Sequence, residues 1–242
     1  MHYIRLELGL NHIECVVLKR MLMWYLKIRR MGAERLPKIC LERLLELNMM
    51  PTNKVKYNWV SQLNQKLSSA GLEDELHRVE TKGDVIRLVE KYKRNKLLID
   101  INRVLNSRYN GLFQHISSLG TGELYLNYDK NIWKMRLISQ LRLAQPNFCS
   151  IYHKGCVAKF SREEICMLCN QLAENSLLHA LFGCPTFEVS RRMYLVEYLQ
   201  EDQGYEEKYK NLLFIDSPTK LDKIFAYFSS YIKYGQFVID LE

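Results

Sequence analysis

Apolar residues recur at helical spacing through most of the first half of the chain. Between Ile13 and Arg30 they return every three or four positions, which predicts a helix with a buried face. The predicted stripe comprises Ile13, Val16, Val17, Met21, Trp24, Tyr25 and Ile28, and it is widened by Leu18, Leu22 and Leu26. We therefore expect this helix to pack on two sides.

Proline and glycine divide the rest of this half into further helices. Pro37 is placed to begin a second helix that extends to about Leu47. A third is predicted over 59–67, and Gly71 ends it. The longest apolar pattern, over 85–105, predicts a fourth helix with a basic cluster in its middle.

In the second half, a glycine-rich break at 119–122 precedes a predicted helix over 131–143. The residues expected to point inward from this helix are Trp133, Leu137, Ile138 and Leu141. Loose alternation over 148–160 predicts a short hairpin or extended strap. Two more helices are predicted over 189–199 and 221–237.

The net charge indicates which class of partner this helical protein favours. The chain carries a formal charge of +8 with a pI of about 9.0, which favours partners with negative charge such as RNA or DNA. Residues 130–165 hold seven cations against two carboxylates, an excess of +5, whereas 201–242 holds five against eight. The candidate phosphate contacts are Lys130, Lys134, Arg136, Arg142, Lys154, Lys159 and Arg162. Tyr152 or Phe160 could stack on a base. The alternative is that these cations form a solvated helix face.

Cysteine usage and hydropathy indicate the compartment. Seven cysteines is an odd number, and the N-terminus lacks the pattern of a signal peptide, so a secreted disulfide framework is disfavoured. Charged residues interrupt every apolar run well short of the roughly 20 residues that a membrane span needs. We expect an intracellular protein of the nucleus or cytoplasm, without a membrane partner.

Four residues near the end of the basic segment have the spacing of a metal site. Cys166 and Cys169 form a Cys-x-x-Cys turn, a spacing that lets both thiolates face one ion. Nine residues separate Cys169 from His179, and four separate His179 from Cys184. Asn175 or Ser176 can cap a short helix that carries the histidine. The sequence therefore predicts one Zn²⁺ site of the CCHC type.

Other interpretations of the cysteines remain open. Cys166 and Cys169 could be buried thiols or a redox pair, although the alternating strand and helix pattern of a redox fold is absent. Cys149 and Cys156 could form a second site only if His153 and a distant ligand joined them. The remaining two, Cys15 and Cys40, lie in helical stripes and are expected to be small buried hydrophobes.

Together these patterns predict a mostly α fold, a bundle of short helices with a small CCHC zinc-knuckle unit in the C-terminal half. We divide the chain into a helical linker-like region over 1–118, a basic helix plus knuckle over 123–200, and a helical tail over 201–242. Because protein would fill all four coordination positions, the zinc is expected to be structural and not to take a small-molecule substrate.

Several stretches resemble the C-terminal tail of reverse transcriptases from non-LTR retrotransposons. The similar stretches are 138–143, 160–164, the Cys-x-x-Cys turn and 178–187, with weaker similarity around Arg5–Gly9, Trp24 and 57–63. In that family a CCHC knuckle follows the polymerase. The resemblance implies contact with RNA or DNA during target-primed reverse transcription.

The chain also departs from that family. It contains no Asp-Asp pair of the kind a polymerase palm uses to hold two metal ions, so we expect a non-catalytic fragment and no enzyme. The nine-residue gap before His179 makes a larger unit than a retroviral knuckle. Two alternatives stay open: a zinc-stabilised helical scaffold for protein interaction, and a decayed element fragment.

Overall fold

The computed structural model describes residues 2–49, 58–120, 122–145, 147–169, 171–199 and 202–239. Over these residues the chain is mostly α-helical with one small three-stranded sheet, which confirms the expected fold class. The helices are α1 (His2–Leu8), α2 (Ile13–Arg29), α3 (Leu36–Met49), α4 (Trp59–Ser68), α5 (Lys82–Leu105), α6 (Phe113–Ile116), α7 (Ile132–Leu143), α8 (Glu188–Tyr194), α9 (Tyr205–Leu213) and α10 (Pro218–Ile239). The strands are β1 (Phe148–His153), β2 (Cys156–Ile165) and β3 (Glu174–Asn175). Within the described part of the chain, no helix is both long and apolar enough to cross a membrane.

Backbone contacts divide the chain into two compact units. The first consists of Asn11–Asp100, which we call the helical unit. The second combines Met1–Leu10 with Ile101–Glu242, which we call the mixed unit. The first ten residues thus belong with the C-terminal part, a long-range association that the three-part division of the sequence does not include. That division into 1–118, 123–200 and 201–242 stays a prediction.

The helical unit contains α2, α3, α4 and most of α5, close to the expected bounds. Its core is almost entirely apolar, and α2 contributes to it through Cys15, Leu18, Leu22, Tyr25 and Leu26. The main predicted stripe is therefore wrong at most of its positions. Four of its members are exposed, namely Ile13, Val16, Val17 and Trp24. Leu18, Leu22 and Leu26, which were expected only to widen the stripe, lie on the buried face of α2.

Helix α7 begins directly after its N-cap residue, Asn131. The side chain of Asn131 accepts hydrogen bonds from the backbone N–H groups of Trp133 and Lys134, which satisfies two donors at the helix start. Leu137, Ile138 and Leu141 are buried as expected. Trp133 was expected to point inward, but it is 44% exposed, because it lies in the first turn beside the cap.

The expected hairpin is present and forms an antiparallel sheet in the order β1-β2-β3. Lys154 and Gly155 make the turn between β1 and β2, and both have positive φ angles of 49° and 88°. Two such residues are typical of the turns that match the twist of a hairpin. Beyond the sheet, α8 is followed by a 3-10 turn over Val196–Tyr198. These two elements occupy the place of the helix predicted over 189–199. Helix α9 was not predicted.

Candidate metal centre and basic surface

The four predicted ligands come together in one cluster. One sulfur from each of Cys166, Cys169 and Cys184 and one ring nitrogen of His179 all lie within 4.8 Å of one another. In a tetrahedral zinc site, bond lengths of about 2.0–2.3 Å place ligand pairs roughly 3.5–3.8 Å apart. The separation of at most 4.8 Å is close to that spacing, so one metal ion could be held between the four atoms.

The Cys-x-x-Cys turn leaves directly from the end of β2. The backbone N–H of Cys166 donates to the carbonyl of Ala173 at 2.9 Å, which closes the loop that carries both thiols. The hydroxyl of Thr186 donates to the carbonyl of Leu168, inside the turn. Since Thr186 lies two residues after Cys184, this bond joins the two ligand-bearing segments. The geometry of the cluster is thus supported from outside the ligand set.

His179 lies in a short helical turn that ends in a π-helix over His179–Gly183. Ser176 caps this turn as expected, because its hydroxyl accepts from the backbone N–H of His179 at 3.1 Å. The imidazole Nε2 lies 3.4 Å from the sulfur of Cys169, so Nε2 is the ring nitrogen that faces this thiol. A Cβ at Gly183 would come within 3.1 Å of the other ring nitrogen. Glycine therefore leaves room for the ring.

Burial sets the electrostatics of the cluster. It raises the pKa of the Cys166 thiol to about 12 and lowers the pKa of His179, with the charge of Arg191 adding to the second effect. A neutral imidazole is the form that binds a metal. A divalent cation would stabilise the thiolates that burial alone disfavours, as expected for a site whose affinity depends on pH.

Aromatic side chains from three segments cover the cluster region. Phe187, three residues after the last ligand, packs on Tyr231 of α10 with ring centroids 4.5 Å apart. Phe160 of β2 also lies against Tyr231. Phe160 is fully buried, so its expected role as a base-stacking residue is wrong. Its side chain instead helps to pack β2 against α10.

The donor set indicates which class of metal fits. Three sulfurs and one imidazole are soft or borderline ligands, which suit zinc. Calcium and magnesium prefer oxygen ligands, so this donor set does not suit them. The protein could supply four ligand atoms to one ion. Such a closed set is typical of a structural site and leaves no position for a reacting water.

The other cysteines do not extend this site. Within the described residues, Cys149, His153 and Cys156 do not form a second cluster of metal-binding atoms. His153 is buried and packs on the ring of Phe225. Cys15 is buried as expected, whereas Cys40 is exposed on α3, contrary to the expectation.

Five of the seven predicted basic residues are exposed, three of them within the β1–β2 hairpin. They are Lys130, Arg136, Lys154, Lys159 and Arg162. Lys154 lies in the hairpin turn, and Lys159 lies on β2. Arg162 forms an ion pair with Glu174 at 2.9 Å, in which both side chains are more than half exposed. Exposed pairs of this kind are weak, and a phosphate could replace the carboxylate.

The other two basic residues are structural. The Lys134 ammonium is paired with both Asp129 and Asp222. Arg142 is completely buried, and its guanidinium forms ion pairs at 2.7 Å with Glu7 and with Glu123. The expected contact of Arg142 with a phosphate is therefore corrected: its donors are used inside the core, and no phosphate can reach them in this fold.

The hairpin has one open face that the sequence reasoning partly missed. The β1–β2 register pairs Phe148 with Ser161, Ser150 with Lys159, and Tyr152 with Val157, and these pairs lie on one face of the sheet. Phe148 is 67% exposed and Tyr152 is 50% exposed. Tyr152 was a stacking candidate, but Phe148 was not. The alternation along β1 could have identified it, since residues four apart share a face.

Helix α7 holds the backbone of this face in place. The amide side chain of Gln140 accepts from the N–H of Tyr152 at 2.8 Å and donates to its carbonyl at 2.9 Å. β1 is an edge strand, and these two bonds satisfy the backbone N–H and carbonyl of Tyr152 on its open edge. Tyr152 is thereby presented on a strand with a fixed register, and Gln140, which holds it, lies one helical turn after the exposed Arg136 on α7.

Comparisons with family models, with curated proteins and with solved structures find no match to this chain.

Proposed function

We propose that the mixed unit is a non-catalytic module that contains one structural zinc ion and binds single-stranded RNA or DNA. The zinc would hold the end of β2 against the segment over 176–187. The nucleic acid would lie across the open face of the hairpin. The observation that carries this proposal is the alignment of Phe148, Tyr152 and Lys159 on one face of a strand pair that leads into Cys166.

The donor set supports zinc as the metal of this proposal. Three thiolates and one imidazole are ligands that zinc prefers, and their candidate ligand atoms all lie within 4.8 Å of one another. A structural ion at this place would stabilise the loop between Cys166 and Cys184. It would contribute no chemical step to a reaction.

Stacking would provide the contact with unpaired bases. Exposed aromatic rings on a sheet are used by proteins that bind single strands, because every base has a face that can stack. Phe148 and Tyr152 lie on the same face, about 14 Å apart along the strand at roughly 3.4 Å per residue. Ser150 and Lys159 lie between them and can contact the sugar and phosphate.

Charge would supply most of the affinity. With Lys134 and Arg142 removed from the set, the five exposed cations remain for phosphate contact. If about four of them each neutralise one phosphate of a single strand, the slope of log affinity against log salt is about −3. Binding should therefore be weak at physiological salt.

The test is a fluorescence anisotropy titration of the full chain, loaded with zinc, against labelled single-stranded RNA and DNA of mixed sequence. We expect the salt slope given above. Phe148→Ala combined with Tyr152→Ala should lower affinity by at least about tenfold, since base stacking contributes roughly 1–3 kcal/mol per ring. Lys159→Ala should flatten the slope by about 0.7.

A control variant separates the open face from general exposure of aromatic rings. Phe214→Ala removes a similarly exposed ring outside the hairpin and should leave binding unchanged. Absence of binding at low salt would contradict the proposal, and so would affinity that is indifferent to salt and to both hairpin aromatics.

A helical scaffold for protein interaction is the second candidate. The observation that favours it is the row of exposed apolar side chains on α2, which includes Ile13, Val16 and Trp24. Binding through that face would depend little on salt, in contrast to phosphate contacts. Salt-insensitive binding of a protein partner that Trp24→Ser abolishes would support this second function.

The origin of the chain as part of a retrotransposon reverse transcriptase remains a proposal that rests on the resemblance of 138–143 and 178–187. It accounts for a zinc unit and a basic hairpin without a polymerase site. The observation that tests it is the genomic sequence upstream of the first codon. A polymerase palm in the same reading frame would support it, whereas an unrelated upstream gene would contradict it.

A further inference from the structure

The positive charge of the chain is carried almost entirely by the helical unit. Residues Asn11–Asp100 hold 18 Lys and Arg against 11 Asp and Glu, an excess of +7. The mixed unit holds 17 against 16, an excess of only +1. A strongly basic unit favours a ligand with negative charge, and neither the zinc cluster nor the hairpin accounts for this excess.

The cations of the helical unit differ in whether they have a partner. Four lysines of α4 and α5 form ion pairs with carboxylates of the same unit, namely Lys66, Lys91, Lys93 and Lys96. By contrast, Lys27, Arg30 and Lys82 are exposed and form no ion pair within the described residues. Their charge is therefore available to an anion from solvent.

These three unpaired cations line one cleft, which lies along the C-terminal end of α2 and reaches the first residue of α5. We call it the α2–α5 cleft. Its volume is about 470 Å³, within the range of sites that hold small organic ligands. The rest of its described lining is apolar and consists of Met23, Trp24 and Leu26, without a carboxylate. The cleft therefore combines a positive rim with an apolar wall.

The cations and the aromatic ring of the cleft are adjacent. The ammonium of Lys27 lies 5.0 Å from the ring centroid of Trp24, a cation–π contact. The guanidinium of Arg30 donates one hydrogen bond to the backbone carbonyl of Glu80 at 2.7 Å, which holds it beside the start of α5. Trp24 is 58% exposed, so a planar ligand can lie against its ring.

Side chains decide the sign of this cleft. The dipole of α2 ends negative at Arg30 and that of α5 begins positive at Lys82, so the two helix ends oppose each other. The nearby carboxylate of Asp84 is already engaged by Thr81 and Arg87. Three cations without a carboxylate suit a phosphate, since phosphate oxygens accept strong charge-assisted hydrogen bonds from Lys and Arg.

We propose that the α2–α5 cleft binds one nucleotide, with its phosphate held by Lys27, Arg30 and Lys82 and its base stacked on Trp24. A phosphate alone leaves the indole unused, and an uncharged ring leaves the three cations unused. The nucleotide is either free or the 5′-phosphorylated end of a strand, because both present the same phosphate and base. This site goes beyond the proposed function and shares no residue with the hairpin.

The test separates the two parts of the ligand. Zinc-loaded full-length protein is titrated calorimetrically with adenosine 5′-monophosphate, with adenosine, and with ribose 5-phosphate. We expect the complete nucleotide to bind at least about tenfold tighter than either part, because only it uses both the cations and the ring. A nucleotide that does not bind, or that binds no tighter than its parts, would overturn the proposal.

A pair of charge variants locates the phosphate. Lys27→Gln combined with Lys82→Gln should lower affinity for the nucleotide at least about tenfold, to near that of adenosine. Lys19→Gln combined with Arg94→Gln removes the same charge from two exposed positions outside the cleft and should change affinity by less than about twofold. Equal losses in the two double variants would show attraction by net charge alone and would overturn the site.

A second pair of variants locates the base. Trp24→Leu should lower affinity for the nucleotide about tenfold and leave that for ribose 5-phosphate unchanged, whereas Trp133→Leu, at 44% exposure in the mixed unit, should alter neither. Trp24 also belongs to the apolar row of the scaffold candidate. The charge variants leave that row intact, so they decide if Trp24→Leu fails to fold.

The source of the nucleotide is tested in the Phe148→Ala, Tyr152→Ala background, where the hairpin face is disabled. There, a 5′-phosphorylated trinucleotide that binds tighter than the mononucleotide supports a strand end as the ligand, and one that binds more weakly supports a free nucleotide. Nucleotide affinity that falls in this background would contradict a site in the helical unit. Failure of the cleft leaves the hairpin proposal standing, since strand binding that depends on Phe148 and Tyr152 is measured separately.

Discussion

The interiors of the two compact units are stabilised by different kinds of interaction. The core of the helical unit is formed by apolar side chains of α2, α3, α4 and α5, with Asn58 and Asp100 as its buried polar groups within the described residues. The mixed unit buries an ion-pair centre around Arg142 and a cluster of four metal-binding side chains. The helical unit depends mainly on the hydrophobic effect, which tolerates small changes in the shape of the packed side chains. The mixed unit combines an apolar core with polar groups that must each meet a partner.

This difference indicates where single substitutions will be most damaging. Loss of one methyl group from an apolar core costs a share of the burial energy, and neighbouring side chains can partly adjust. Loss of one partner from a buried charged group leaves the other without compensation. The mixed unit should therefore fail at a few specific residues, whereas the helical unit should weaken gradually.

The largest expected effect is removal of the metal site. Cys166→Ser combined with Cys184→Ser should reduce the zinc content from about one ion per chain to none and abolish protection of amides over 160–190 from hydrogen exchange. The physical reason is that binding of a structural zinc, at roughly 10–16 kcal/mol, is coupled to local folding. Elemental analysis and exchange mass spectrometry measure the two effects.

The matched control for this variant uses the two cysteines outside the cluster. Cys149→Ser combined with Cys156→Ser should keep the zinc and the protection over 160–190. In both variants the amides of Asn11–Asp100 should remain protected. An unchanged zinc content after loss of Cys166 and Cys184 would reject the site.

Next in size is the effect of replacing the buried arginine. Arg142→Met should destabilise the mixed unit by about 3–5 kcal/mol, because Glu7 and Glu123 would remain buried without their partner. Arg136→Met, on the exposed side of the same helix, should change stability by less than about 0.5 kcal/mol. Urea unfolding followed by circular dichroism compares the two variants, and equal effects would contradict the assigned roles.

The smallest effects concern two helix caps that serve the same purpose in different units. Asn58 caps α4, is buried, and also donates to the carbonyl of Leu44 at 3.1 Å, whereas Asn131 caps α7 at an exposed position. Asn131→Ala should cost about 1 kcal/mol, and Asn58→Ala about 2 kcal/mol, since it also removes the side-chain hydrogen bond to the carbonyl of Leu44. The same unfolding measurement tests the order, and a larger loss at Asn131 would contradict it.

Features that depend on neighbours in the chain were predictable. The bounds of α4 and α7 follow from their caps and apolar spacing, and the hairpin follows from the alternation around Gly155. The ligand cluster was predictable because Cys166 and Cys169 occupy one turn, and because Ser176 caps the short helical turn that carries His179. In each case the determining contacts are local.

Features that depend on distant partners were predicted poorly. Helix α2 has two apolar stripes, and only the helices packed against it decide that Leu18, Leu22 and Leu26 are buried while Trp24 is exposed. Arg142 appeared to be one of seven similar cations. Its partner Glu7 lies 135 residues away in the chain, so no local pattern distinguishes it from Arg136.

The sequence by itself therefore determined the helical class, the hairpin and the four candidate ligands, because spacing along the chain sets which side chains share a turn or a strand face. The tertiary structure alone decided which apolar stripe is buried, which cations remain exposed, and that Glu7 pairs with Arg142 inside the core. These outcomes depend on burial, and burial is a property of the packed chain: a charge that would be solvated on an isolated helix becomes a structural group once a distant carboxylate lies within hydrogen-bond distance.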